Sequence, residues 1–332
     1  MTIPLPAAPA PTECDAIIDQ IRGAQTLLLI THLAPDSDAI GGLLGLTHAL
    51  RQIGKTVTPA CSDPIFDRFI SLPGQTDIVH QTRERFDLVI ALDCGDEGRL
   101  GKVWLDLPEP KPPLLNIDHH ITNTCFGIVN WIDLKATATS EMLLELIDRL
   151  GVALTPGVVL TPDIAYCLLT GIVGDTLGFR TPHTTPRSLE FAMRLMQAGA
   201  PLAEIMEQQF NRRPLALITL WGKALTTLKI KDRVAYVTIT KAMRDSVGYS
   251  GSSDISLSSF LVSANEADRS AVLVEKDDGR IDLSLRAKTG HNVARAAAAL
   301  GGGGHPLASG STLDGPINEA VKRVLEALKQ NK

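Results

Sequence analysis

The sequence predicts an α/β protein: an N-terminal domain with a mainly parallel sheet flanked by helices, then a smaller C-terminal α/β domain, with a cleft between them. Three observations carry this. The runs 26–31 (TLLLIT), 86–92 (FDLVIAL) and 113–117 (PLLNI) are short and largely apolar, as strands buried on both faces of a parallel sheet are. Helical patterns alternate with them, the signature of an α/β unit. Beyond residue 200 the pattern shifts to alternating strands with a hairpin signal. The length of 332 residues suits two domains.

In chain order, 26–31 is the first strand and stops at His32. Residues 39–53 place apolar side chains at Ile40, Leu43, Leu44, Leu46, Leu50 and Ile53, with Gly54 as a C-cap, and read as a helix. Residues 56–61 form the next strand. The strand at 86–92 stops at Asp93, and that at 113–117 stops at Asp118. Residues 139–150 are an amphipathic helix stopped by Gly151. Residues 162–173 are a second helix, with Thr161 as N-cap and Pro162 in its first turn. A third helix spans 186–198. The segment 200–216, with Pro201, EQQFNRR and Pro214, reads as a linker between domains at 14–199 and 217–329. In the second domain, 234–240 is a strand. Residues 269–275 and 280–286 pair through a turn containing Asp278-Gly279. An Ala-rich helix, 293–300, runs into GGGG, and 318–328 is a closing helix. The Ser/Gly-rich stretch 248–259 reads as a loop. No internal repeats are evident.

Composition narrows the function classes. Hydrophobic residues are 44% and charged residues 21%, as in ordinary globular chains. No stretch approaches the roughly 20 apolar residues of a membrane span. Residues 1–13 are rich in proline without Lys or Arg up to Thr12, and read as a disordered leader rather than a signal peptide. Five cysteines without a CxxC pair argue against a disulfide framework or a zinc finger and suit the cytoplasm. Residues 1–199 hold 23 Asp and Glu against 14 Lys and Arg. Residues 200–332 hold 14 against 18. A net −9 half thus precedes a net +4 half, and only the second is suited to meet phosphates without added cations.

Four segments carry chemistry. His32-Leu-Ala-Pro-Asp36-Ser-Asp38-Ala-Ile-Gly41-Gly42 lies between a strand and a helix, where open α/β sheets gather ligands. Two carboxylates two residues apart suit hard cations. The alternative is that Asp38 merely N-caps the helix. Gly41-Gly42 would let the helix N-terminus approach a phosphate. Asp93 follows the second strand. Asp118-His119-His120 follows the third and offers a ligand, an orienting group and a phosphate donor. Gly171-Ile-Val-Gly174-Asp175-Thr176 puts an acid at a helix C-terminus, which the macrodipole disfavours unless a cation compensates. Together, His32, Asp36, Asp38, Asp93, His119 and Asp175 suit a pair of divalent metals, with one carboxylate free to bridge. In the basic half, Arg286 and Gly301–His305 could hold an anion, the glycine N–H groups forming a nest.

HxxPDxDA, the strand-terminal LD, DHH and GIVGDT, in that order, resemble the four motifs of the DHH phosphoesterase superfamily. LSLRAK followed by GGGGHPLASG resembles its DHHA1 domain. The match runs from about residue 14 to 328, and the chain looks most like the stand-alone oligoribonuclease/pAp phosphatase (nanoRNase) subgroup. The resemblance implies a Mn-dependent phosphoesterase that hydrolyses short oligoribonucleotides and 3′-phosphoadenosine 5′-phosphate (pAp) by in-line attack of water. A cyclic or linear dinucleotide phosphodiesterase of the c-di-AMP/pApA type is the alternative. It implies one metal held by His32, Asp36 and Asp93, and another by Asp38, Asp93, His119 and Asp175. The ions are Mn²⁺, with Mg²⁺ as the second choice. It implies that His120 faces the scissile phosphate and that Asp118 orients its neighbours, so that His120, Asp93 and Asp118 are the catalytic residues. Arg286, Gly302, Gly303, Gly304 and His305 would hold the remote phosphate or base. Partners would be short RNA, pAp or a dinucleotide, with no membrane, and relatives are often homodimers.

The sequence departs from the family at Gly42, where many relatives have Ser, and at Leu177-Gly178 in place of Gly-Arg; Arg180 is the candidate substitute. A pyrophosphatase would carry another C-terminal domain in place of the Arg and GGGGH. A non-catalytic nucleotide-binding module would be free to lose ligands, yet all six are present. His48, His80, His183 and His291 read as surface or packing residues, and the cysteines, Cys94 included, as core fillers.

Overall fold

The computed structural model describes residues 12–66, 69–153, 158–249 and 256–330. Residues 1–11 of the expected leader, and 250–255 of the Ser/Gly-rich stretch, lie outside the described residues. The chain forms two compact units that divide between Arg212 and Arg213.

The first unit begins with α1 (Glu13–Gly23), whose N-cap is Thr12, closed by a capping box with Asp15. Then come β1 (Thr26–Thr31), α2 (Ser37–Gln52), β2 (Thr56–Ala60), β3 (Leu88–Leu92), the short α3 (Lys102–Leu105), β4 (Leu114–Asp118) and β5 (Val129–Ile132). The helices α4 (Thr139–Ala153), α5 (Pro162–Asp175), α6 (Pro186–Gln197) and α7 (Leu202–Met206) complete it. The sheet order is β2-β1-β3-β4-β5, and all pairs are parallel. Every residue of β3 and β4 is buried, which explains their unbroken apolar character. One sheet face packs against α1, α2, α4, α5 and α6, the other against Leu100, Val103, Trp104 and Leu107. The register aligns Thr31 with Leu92, and Leu92 with Ile117. The residues that follow, His32, Asp93 and Asp118, therefore share one rim.

Helix α2 starts at Ser37, two residues before the periodicity suggested, because Asp36 caps it. Its Oδ1 accepts the N–H groups of Asp38 and Ala39 at 3.0 and 3.1 Å. The capping carboxylate is thus Asp36, not Asp38. Residues 37–47 of α2 are buried all round. Close approach of α2 and α5 needs glycine: a Cβ on Gly41 would strike the Cys167 carbonyl, and one on Gly174 the Ser37 side chain. A Cβ on Gly42 would face Leu143 and Ser140 of α4. The glycines expected to admit a phosphate instead admit neighbouring helices. The stretch 200–216 is largely helical, since Ile205, Met206 and Phe210 of α7 and the π-turn Glu207–Asn211 pack on the first core.

The second unit runs α8 (Leu215–Leu225), β6 (Lys229–Lys231), β7 (Val234–Ile239), α9 (Lys241–Asp245), α10 (Leu257–Val262), β8 (Arg269–Glu275), β9 (Ile281–Ala287), α11 (Ala294–Ala299), β10 (Gly303–His305), β11 (Ala308–Leu313) and α12 (Ile317–Gln330). Its mixed sheet has the order β10-β11-β9-β8-β7-β6, with β7–β8 parallel and the other pairs antiparallel. Helices α11 and α12 cover one face, α8 and α10 the other.

Candidate metal centre

Local structure delivers each of the six expected ligands to the same rim. His32 follows β1, Asp36 caps α2, and Asp38 sits in its first turn. Asp93 follows β3, His119 follows β4, and Asp175 is the last residue of α5. Asp93 has φ +55°, a left-handed conformation that Asp tolerates better than most residues. This turns its carboxylate, 1% exposed, into the space between two histidines. His32 Nε2 lies 3.7 Å from Asp93 Oδ2, and His119 Nε2 lies 3.5 Å from Oδ1.

Two groups of three ligands result. His32, Asp36 and Asp93 form one, and Asp38, His119 and Asp175 the other, each with its donor atoms within 4.8 Å of one another. His120 also falls in such a group, with Asp93 and His119. His119 Nε2 lies 3.2 Å from Asp175 and 4.0 Å from Asp38. It is nevertheless buried and makes no hydrogen bond among the described residues, although buried ring nitrogens ordinarily find partners. The other nitrogens fix the tautomers. His32 Nδ1 is 2.7 Å from the Leu33 carbonyl and His119 Nδ1 is 3.3 Å from the Ala136 carbonyl. A carbonyl only accepts, so in this arrangement Nδ1 donates to it and Nε2 is the nitrogen turned toward the carboxylates. Imidazole nitrogens and carboxylates converging on one space fit divalent cations, which would stand where the Nε2 protons otherwise sit.

With no cation between them, the crowded carboxylates and imidazoles shift one another's proton affinity. Burial, then the charges of Asp93 and Asp175, raise the Asp38 pKa well above the usual carboxylate range. Burial, with Asp36 and Asp93 nearby, lifts Asp175 to about 6. Burial works to lower the His119 pKa, but Asp175, Asp93 and Asp38 outweigh it and lift it to about 11. Burial would raise Asp93, yet His32, His119 and His120 hold it well below the usual range. His32 and His120 are also raised, their carboxylate neighbours overcoming burial.

Several supporting residues carry no signal in the sequence. Asp38 accepts the backbone N–H groups of Thr139 and Ser140 at 2.5 and 2.9 Å. Thr139 Oγ1 donates to Asp93 Oδ1 at 3.1 Å. Asp118 Oδ1 accepts from His120 Nδ1 at 2.7 Å and from the His119 N–H at 2.9 Å. Asn123 donates to Asp118 Oδ2 and to Asn116 Oδ1. A polar Asn116 within an apolar strand and an Asn three residues past the histidine pair were the only available hints. Arg180 is exposed, lies over the Phe210 ring and donates to the Leu177 carbonyl, contacts that shape its own loop.

In the second unit, Arg286 lies in β9 opposite Ala308 of β11. The glycine run is not the free nest expected. Gly303–His305 is an edge strand, pairing Gly303 with Gly310 and His305 with Ala308. Glycine is needed there because a Cβ on Gly302 would strike the Gly310 carbonyl. Arg286, Ser284, Gly303, Gly304 and Ser309 line an open groove of about 550 Å³.

Comparison with known proteins agrees with this architecture. Residues 26–172 match the DHH family, N-terminal domain, and residues 230–331 the DHHA1 domain. The chain is 34% identical to the bifunctional oligoribonuclease and PAP phosphatase NrnA of Thermus thermophilus, over 92% of this chain and 89% of that one. It is 30% identical to the protein of the same name from Bacillus subtilis, over 90% and 92%. A crystal structure of an exopolyphosphatase-related protein from Bacteroides fragilis superposes with a TM-score of 0.86 at 26% identity, covering 96% of each chain. With a DHH domain followed by a DHHA1 domain and relatives along nearly its whole length, this chain belongs to the DHH family of phosphoesterases.

Proposed function

We propose that this enzyme hydrolyses short oligoribonucleotides and pAp, using two Mn²⁺ ions. The observation that carries the reading is Asp93, whose two oxygens face His32 and His119 separately, as a carboxylate bridging two cations would. The names of the relatives aligned over nine-tenths of the chain supply the substrate class.

In this reading, His32, Asp36 and Asp93 hold one ion, and Asp38, Asp93, His119 and Asp175 the other. Bound there, the ions lower the pKa of water and neutralise charge on phosphate oxygens. The chain's own residues do the rest. Asp38 is held by the N–H groups of Thr139 and Ser140, which keeps it aimed at its ion rather than at solvent. Asp118, through Nδ1, orients His120, which protonates the leaving oxygen from Nε2. Residues 14–199 supply this chemistry. Residues 217–329 supply Arg286, Gly302–Gly304 and His305 to hold the far end of the substrate. The basic charge of the second half suits it to phosphates.

A panel of pAp, linear dinucleotides, cyclic dinucleotides, longer RNA and pyrophosphate, each with Mn²⁺ or Mg²⁺, tests the reading. The expected result is turnover of pAp and of two- to five-nucleotide RNA in Mn²⁺. Turnover confined to cyclic dinucleotides or to pyrophosphate would overturn it.

A further inference from the structure

We propose that Arg99 is a phosphate-binding residue of the first unit, holding the scissile phosphoryl group beside the metal centre. This rests on the phosphoester-hydrolase reading and names a cation that the four motifs quoted above do not include. Arg99 lies in the 3₁₀ turn Glu97–Leu100 that follows the Asp93 loop, capped by Asp96. Its carbonyl accepts the Leu33 N–H at 2.8 Å, so its backbone is fastened to the residue after His32. The guanidinium Nη2 stands 3.0 Å from His32 Nδ1.

That contact serves the arginine only while His32 Nδ1 is unprotonated. His32 Nδ1 also lies 2.7 Å from the Leu33 carbonyl, and with Nε2 holding a metal it carries the ring proton and donates it there, so it has no lone pair for Arg99. Among the described residues, no carboxylate lies within 4.0 Å of the Arg99 guanidinium. Acidic neighbours are nonetheless abundant: Asp36 and Asp93 both approach the other side of the His32 ring. An exposed guanidinium, in contact with the ring of an expected metal ligand and with no carboxylate partner among the described residues, is suited to a phosphate oxygen, which it can grip with two parallel N–H bonds. It would supply in the first unit the positive side chain lost where Leu177-Gly178 stands.

A purely supporting role, in which Arg99 only orients His32, predicts a different result, so the test separates metal from anion. Arg99→Gln and Arg99→Lys are compared with the wild-type full chain by calorimetric titration of Mn²⁺, and then of inorganic phosphate into the Mn²⁺-loaded protein. Loss of a charged hydrogen bond weakens binding about 10- to 100-fold. In Arg99→Gln we expect phosphate binding to weaken by that factor and KM for pAp to rise with it. Mn²⁺ affinity should stay within about threefold, less than one such bond would cost. Arg99→Lys should recover part of the loss, as a cation without the planar fork. Unchanged phosphate binding in Arg99→Gln overturns the proposal. So does a fall in phosphate binding matched by an equal fall in Mn²⁺ affinity. If the wild type turns over none of the nucleotides, the proposed function fails, while direct phosphate binding still decides Arg99.

Discussion

Asp38 accepts the backbone N–H of Thr139 at 2.5 Å, across 101 residues of chain. The contact joins the first turn of α2 to the first turn of α4, and it does so inside the candidate metal centre. Positive partial charge at the α4 N-terminus partly offsets a carboxylate that burial and two acidic neighbours would otherwise discharge.

Thr139 is a positioning residue for this centre. Thr139→Val removes the hydroxyl that donates to Asp93 Oδ1 and leaves the backbone N–H to Asp38 in place. Outer partners of metal ligands typically change affinity or activity by about 10- to 100-fold. We expect Mn²⁺ affinity, measured by calorimetry, to fall by about tenfold with the far-UV spectrum unchanged. Wild-type affinity would show that Asp93 is oriented without this bond.

Gly171 bears on both packing and chemistry. A Cβ there would strike Ser140 Oγ and lie 2.6 Å from Asp38 Oδ1. Gly171→Ala should destabilise by about 1–3 kcal/mol, the usual cost of overpacking, and should also weaken Mn²⁺ binding. Gly23→Ala, where nothing lies within 4 Å, is the control and should melt close to wild type. Equal melting temperatures for both variants would contradict the close helix approach.

Thiol chemistry should single out one cysteine. Cys125 is exposed, whereas Cys14, Cys61, Cys94 and Cys167 are buried. Burial lifts the Cys61 and Cys94 thiols to about 11 and raises those of Cys14 and Cys167 as well. At pH 8 we expect one fast-reacting thiol in the native chain and five after denaturation. Fast labelling of Cys94 would show that the Asp93 loop opens.

Asp87 gives the fold a defined acid dependence. Its carboxylate accepts the N–H groups of Thr26 and Gln25 at 2.8 and 2.9 Å, and these bonds hold its pKa below the usual carboxylate value. A pKa lower in the folded than in the unfolded state adds stability above the unfolded value, about 3.9. That contribution is lost as the pH falls through the folded value. Asp87→Asn should therefore be less stable at pH 7, with the gap from wild type closing below about pH 4. A gap constant from pH 7 to pH 2, in denaturant titrations, would show that the charge is not responsible.

Much of the site was legible because its chemistry is local. A buried parallel strand is apolar along its length, so the polar residue that ends it stands out: His32, Asp93 and Asp118 each announced themselves that way. Asp175 did so through its mismatch with the helix dipole. What the sequence left open was geometry between distant segments. Whether Asp36 or Asp38 caps α2 depends on the N–H groups of Thr139 and Ser140, which engage Asp38 and leave Asp36 for the cap. The same holds for GGGGH, which resembled a phosphate nest until its pairing with Ala308–Gly310 made it a strand.

Taken alone, the order and type of residues determined the two α/β units and the inventory of ligands, because strand burial and ligand chemistry are properties of short segments. Tertiary structure alone decided that Asp93 lies between His32 and His119, that Gly41 and Gly171 serve helix packing, and that Arg99 stands beside His32. Those relations depend on strand register and on helix approach, which side chains far apart in the chain settle together.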